Sequence, residues 1–198
     1  MFYGKRERKF ILASASPRRR ELLLNIGVKP EVVPPDVDEG SITGEGAEAL
    51  VKRLALLKAE AVASRFPEAL VLGADTIVVI DREILGKPQN GGDAKRMITK
   101  LQGKTHEVAG AFALLCPSRN ICKVVPSITQ VEMAPLEPKL IERYVATEEP
   151  LDKAGAYAIQ GLGSQFVVSI NGSYSNVVGL NIAAVSSCLR EMERLDIF

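Results

Sequence analysis

The sequence predicts an α/β protein built on a mixed β-sheet with flanking helices. Three observations carry this. Short apolar, strand-like runs alternate with segments of helical period, as at 11–13, 47–64 and 69–80. Two long strand-like runs, 104–115 and 121–133, are parted only by a proline-led turn and read as a hairpin. No internal repeat, low-complexity tract or linker-like shift in composition interrupts the 198 residues, so the chain is read as a single domain, 1–198.

The first strand, Ile11-Leu12-Ala13, runs into Ser14-Ala15-Ser16-Pro17-Arg18-Arg19-Arg20. Ser16 suits an N-cap and Pro17 the first helical position, where its missing N–H costs nothing. The helix continues to Ile26 and stops at Gly27. Three arginines in a first turn have the wrong sign for the helix dipole, a penalty of about 0.3–1 kcal/mol each. Either they form a solvated cluster, or an anion such as phosphate binds there, where free N–H groups, hydroxyls and guanidinium forks converge.

Glu31-Val32-Val33 reads as a strand closed by two prolines, followed by the acidic loop Asp36-Val37-Asp38-Glu39-Gly40. Residues 47–64 form a helix with Leu50, Val51, Leu54, Leu57, Ala61 and Val62 on one stripe. Lys58 lies on that stripe, so it either snorkels past the core edge or points into a cleft. The most apolar stretch, 69–80, reads as one or two central strands buried on both faces. Asp75 interrupts it. It is either a turn residue between two strands or a charge kept for a metal or a reacting water, since an unpaired buried carboxylate is costly.

A turn at 81–83 leads to a short strand, 84–88, in which Pro88 holds Lys87 extended. Asn90 to Asp93 is a loop and cap, and 93–101 a helix ended by Gly103. After the hairpin come a helix at 137–147, an irregular glycine-spaced segment at 149–163, a strand at 166–170, an Asn-Gly turn, and a closing helix at 180–195. The glycine-spaced segment lacks the strand–loop–helix context of a dinucleotide-binding fingerprint.

Composition excludes several classes. A net charge of +1 offers no global field for nucleic acid or membrane, and no apolar run reaches the length of a membrane span. The few aromatics form no stacking series. The charged start, Met1 to Lys9, has no apolar leader, so a cytoplasmic location is expected. His106 is the only histidine, and Cys116, Cys122 and Cys188 have no metal-ligand spacing. A His-rich zinc site is thereby excluded, and a metal would rest on carboxylates, phosphates and water, which favours Mg²⁺ or Mn²⁺.

Several stretches taken together resemble a known family. They are Ser14-Ala15-Ser16-Pro17-Arg18-Arg19, Val37-Asp38-Glu39, Leu57-Lys58-Ala59, Gly73-Ala74-Asp75-Thr76, Gly86-Lys87-Pro88, Thr105-His106, Ala156-Tyr157-Ala158-Ile159-Gln160-Gly161 and the run from Asn171 to Leu180. In this order they closely resemble the Maf family of nucleoside triphosphate pyrophosphatases, across roughly Phe10 to Arg190. The resemblance implies an elongated two-lobed α/β fold around a cleft, similar to the inosine triphosphate pyrophosphatases. It also implies a homodimer, a divalent metal cofactor and a link to septum formation. Arg18, Thr76 and Gln160 match the subgroup acting on dTTP and UTP; the subgroup acting on 7-methyl-GTP has Trp, Gln and Glu at these places.

The expected reaction is hydrolysis of a nucleoside triphosphate to the monophosphate and pyrophosphate. Ser14, Arg18 and Arg19 would hold the triphosphate; Glu39 and Asp75 the metal, Asp75 also serving as base. Lys58 and Lys87 would offset charge at the α-phosphorus and leaving group, and Thr76 and Gln160 would read the base. The rival is a nucleotide-binding regulator of septum formation with little catalysis, which would bind without releasing pyrophosphate.

Overall fold

The computed structural model describes residues 9–40 and 44–194, with side chains to 192. Of the charged start discussed above, only Lys9 falls within them, and Leu195 of the closing helix lies outside. The chain forms strands β1 (Phe10–Ala13), β2 (Glu31–Val32), β3 (Leu70–Ile80), β4 (Glu83–Leu85), β5 (Thr105–Cys116), β6 (Ile121–Met133) and β7 (Val167–Asn171). The helices are α1 (Pro17–Asn25), α2 (Ala47–Ala63), α3 (Gly91–Leu101), α4 (Pro138–Val145), α5 (Tyr174–Val178) and α6 (Ile182–Arg194).

The strands are hydrogen-bonded in the order β2-β1-β3-β5-β6-β7, with β4 paired to β3. The sheet is mixed, as the sequence implies. β1 runs parallel to both β2 and β3, whereas β3–β4 and β6–β7 are antiparallel. The run 69–80 is one continuous strand, so Asp75 is a strand residue and not a turn.

The chain divides into two compact units. One comprises Met1–Asp75, Gly110–Ser127 and Gly179–Phe198. Its core gathers Phe10 and Leu12 of β1, Leu70 and Leu72 of β3, Phe112 and Leu114 of β5, and Val185 and Leu189 of α6. Burial of such side chains contributes about 1.5–3 kcal/mol each. The other unit comprises Thr76–Ala109 and Ile128–Val178. Its core joins Val78 and Ile80, Met97 and Ile98 of α3, Ile141 and Tyr144 of α4, and Phe166.

Local chemistry explains most boundaries. Ser16 caps α1 by accepting from the Arg19 N–H, with Pro17 at the first position. Asn90 caps α3 by accepting from Asp93 N–H, and the helix starts at Gly91, two residues before the sequence placed it. β4 ends at Leu85, so Lys87 lies beyond the strand rather than on it. α5 was not anticipated; Ser173 caps it through a hydroxyl that accepts from Asn176 N–H.

Candidate active site

The site is built in the first unit from the end of β1, the middle of β3, α1, α2 and the loop before α2 that carries Glu39. Gly73 on β3 sets the distance between strand and helix. A Cβ placed there would lie 2.3 Å from the Ala55 carbonyl oxygen and 2.6 Å from Ala59 N, so α2 rests directly on the strand backbone. One turn of α2 therefore lies over β3, and Lys58, between Ala55 and Ala59 in sequence, reaches Asp75 two residues beyond Gly73 on the same face.

Lys58 Nζ donates to Asp75 Oδ1 at 2.8 Å and to Glu39 Oε2 at 2.7 Å. Lys58 and Asp75 are only 5% and 7% exposed, whereas the Glu39 side chain is 55% exposed. The lysine thus does not snorkel past the core edge: its ammonium is buried and paired. A buried ammonium between two carboxylates is charge-compensated; removing Lys58 would leave the buried Asp75 carboxylate without this cation in a low dielectric, whereas neutralising Asp75 leaves the ammonium paired with Glu39.

Ser14, at the end of β1, is buried, and its hydroxyl oxygen accepts from Ser16 N–H at 3.2 Å and from Arg19 Nη1 at 3.1 Å. Arg19 Nε also donates to the Gly179 carbonyl at 2.9 Å. Burial pulls the Arg19 guanidinium below its ordinary pKa; the Asp75 and Glu39 carboxylates oppose this and the Arg18 cation adds to it. The arginine remains charged at any working pH. Arg18 is half-buried and Arg20 exposed.

The acidic loop is held from α2. Arg53 donates to both Glu45 carboxylate oxygens at 2.8 Å and to the Gly40 carbonyl at 2.9 Å, one residue past Glu39. Asp38 closes a local turn by accepting from Gly40 N–H. Neither Glu45 nor Arg53 announces itself in the sequence, because their pairing depends on how the loop folds over the helix.

In the second unit, Thr76 is half-buried on β3, Lys87 is exposed between β4 and α3, and Gln160 is exposed in the irregular segment. The structure therefore brings Glu39, Lys58 and Asp75 into one bonded group, and Ser14 with Arg19 into another. Buried His106 pairs through Nε2 with the Tyr157 hydroxyl at 2.8 Å. Burial lowers its pKa from 6.5 to about 4.

The model of the family described as "Maf-like protein" matches residues 9–192. The chain belongs to the Maf family. Among the Maf relatives, the dTTP/UTP pyrophosphatase of Geotalea uraniireducens is 49% identical over 186 residues, 94% of this chain and 96% of its own. That of Symbiobacterium thermophilum is 48% identical over 172 residues, covering 87% and 88%. That of Anaeromyxobacter sp. is 50% identical over 185 residues, covering 92% and 88%. The matched span includes the candidate residues from Ser14 to Gln160.

Proposed function

We propose that the chain is a nucleoside triphosphate pyrophosphatase acting on dTTP and UTP. The observation that carries the reading is the buried Lys58 ammonium joining Asp75 to Glu39, in a chain about half identical to dTTP/UTP pyrophosphatases over most of its length. In the reaction, water forms a bond to the α-phosphorus. The bond from that phosphorus to the α–β bridging oxygen breaks, and pyrophosphate leaves.

Asp75 takes the proton of the attacking water, and Lys58 fixes its carboxylate in place. Ser14, Arg18 and Arg19 bind the triphosphate, where hydroxyl and guanidinium donors suit phosphate oxygens. Lys58 and Lys87 offset charge that grows on the α-phosphoryl and the departing pyrophosphate. Thr76 and Gln160 read the base. The amide of Gln160 carries a donor and an acceptor, complementary to the O4/N3–H edge that thymine and uracil share.

Glu39 and Asp75 fit a hard divalent cation. Both offer carboxylate oxygens, brought together on one ammonium, and Mg²⁺ or Mn²⁺ is commonly held by one or two carboxylates with phosphate and water completing the shell. Among the described residues no group of three or more His, Cys, Asp or Glu side chains is placed to hold a metal. When bound, the ion supplies charge neutralisation at the phosphates.

The same reading makes the protein a cytoplasmic homodimer with a link to septum formation. No helix among the described residues is long and apolar enough to cross a membrane. The deciding experiment measures pyrophosphate release from dTTP, UTP, ATP and GTP by the wild type, Gln160→Glu and Arg18→Ala. The wild type should favour the pyrimidines, and Gln160→Glu should erode that preference more than Arg18→Ala does. Equal kcat/KM on all four nucleotides by the wild type would defeat the base assignment.

A further inference from the structure

We infer that Glu149 and Tyr144 are positioning residues for Gln160, and that they set base preference through the loop they hold. The inference rests on the pyrophosphatase reading above. It starts from a carboxylate used in an unusual way. Glu149 Oε1 accepts from the Tyr144 hydroxyl and from Gly163 N–H, each at 3.0 Å, and Oε2 accepts from Leu162 N–H at 3.0 Å. The same Tyr144 oxygen accepts from Ala158 N–H at 3.1 Å. Backbone on both sides of Gln160 is thereby tied to one Glu–Tyr pair, while Gln160 itself stays exposed.

The loop is moulded to that pair. Gly161 has φ +85°, and a Cβ there would sit 2.6 Å from Glu149 Oε2; a Cβ at Gly163 would sit 2.7 Å from the Tyr144 hydroxyl. Tyr144 is itself fixed edge-on against Phe166, ring centres 4.9 Å apart. Desolvation is the largest influence on the Glu149 carboxyl and acts upward. The two backbone N–H groups, the Tyr144 hydroxyl and Lys153 outweigh it, so the group titrates below its ordinary value and stays ionised at neutral pH.

An exposed glutamine on a free loop would sample many positions, and its amide would discriminate poorly between base edges. Reading a donor–acceptor pattern requires placement to within a fraction of an ångström, with the supporting backbone held by its own bonds. The Glu149–Tyr144 pair supplies that support without any side chain of its own at the base.

The test uses the full-length chain. Steady-state kcat and KM for dTTP, UTP, ATP and GTP are measured on the wild type, Glu149→Gln and Tyr144→Phe, with amide hydrogen exchange across 158–163. Tyr144→Phe keeps the ring on Phe166 and removes only the hydroxyl, so it carries the test if Glu149→Gln fails to fold. Exchange at Ala158, Leu162 and Gly163 should quicken. The pyrimidine-over-purine ratio of kcat/KM should fall about tenfold, mainly through KM for dTTP and UTP, with kcat on dTTP kept within about twofold. An unchanged ratio despite faster exchange overturns the inference, as does an equal loss of kcat on all four nucleotides with KM intact. A wild type that releases no pyrophosphate from any of them overturns the pyrophosphatase reading, and this inference falls with it.

Discussion

Lys58 and Asp75, 17 positions apart, form a buried ion pair of 2.8 Å across the junction of α2 and β3. The contact is made possible by Gly73, whose missing side chain lets the helix backbone touch the strand. The candidate site thus depends on a packing decision two residues away from the carboxylate it serves.

Asp75→Asn keeps the volume of the side chain and removes its charge. Loss of the base should lower kcat by about 10²–10⁴-fold while the protein stays folded. Circular dichroism establishes folding and pyrophosphate release gives kcat. Near wild-type turnover would end the assignment of Asp75 as base.

Gly73→Ala puts a methyl group where the Ala55 carbonyl and Ala59 N already stand. Backbone cannot yield as a side-chain tip does, so α2 must shift, at about 1–3 kcal/mol. The shift also draws Lys58 away from Asp75, so kcat should fall with stability. Denaturant unfolding measures the first and turnover the second; a variant as stable and active as the wild type refutes the close packing.

The metal requirement follows from the donor set. Pyrophosphate release should need Mg²⁺ or Mn²⁺, stop in EDTA and return when the ion is restored in excess. Full activity after exhaustive chelation excludes a carboxylate-held ion.

His106 predicts a pH-dependent stability. Its pKa falls from 6.5 unfolded to about 4 folded, so between these values the unfolded chain binds more protons. Stability is then complete above about pH 6.5, declines as pH drops toward 4 and levels below that, a loss of a few kcal/mol. In His106→Gln this part of the slope should vanish, which unfolding midpoints from pH 4 to 7.5 would reveal. An unchanged slope assigns the dependence to other groups.

The fold was largely legible because its signals are local. The Ser16–Pro17 start, the α2 stripe and the long hairpin each write their pattern within a few residues. The site was legible only in part. Lys58 on an apolar stripe and Asp75 in an apolar strand were each visible as anomalies, but sequence spacing could not join them. Their meeting depends on Gly73, whose role appears only when helix and strand are in contact. Glu45 with Arg53, and Glu149 with Tyr144, gave no signal, since each works by gripping backbone brought to it by the fold. α5 escaped notice because five residues are too few to establish a helical period; Ser173, three before Asn176, was its one local sign.

The β3–β4 turn has a consequence for the protein's tolerance of change. Asp81 and Arg82 both have positive φ, 51° and 66°, in the two-residue connection between Ile80 and Glu83. Such connections favour Asn-Gly, and a bulky residue in the left-handed region bears about 1–2 kcal/mol of steric cost. Arg82→Gly would relieve that cost without altering either strand. The turn is therefore a latent suppressor locus: a chain carrying a damaging substitution elsewhere could regain part of its lost stability there, which leaves room for altered specificity to evolve before folding fails.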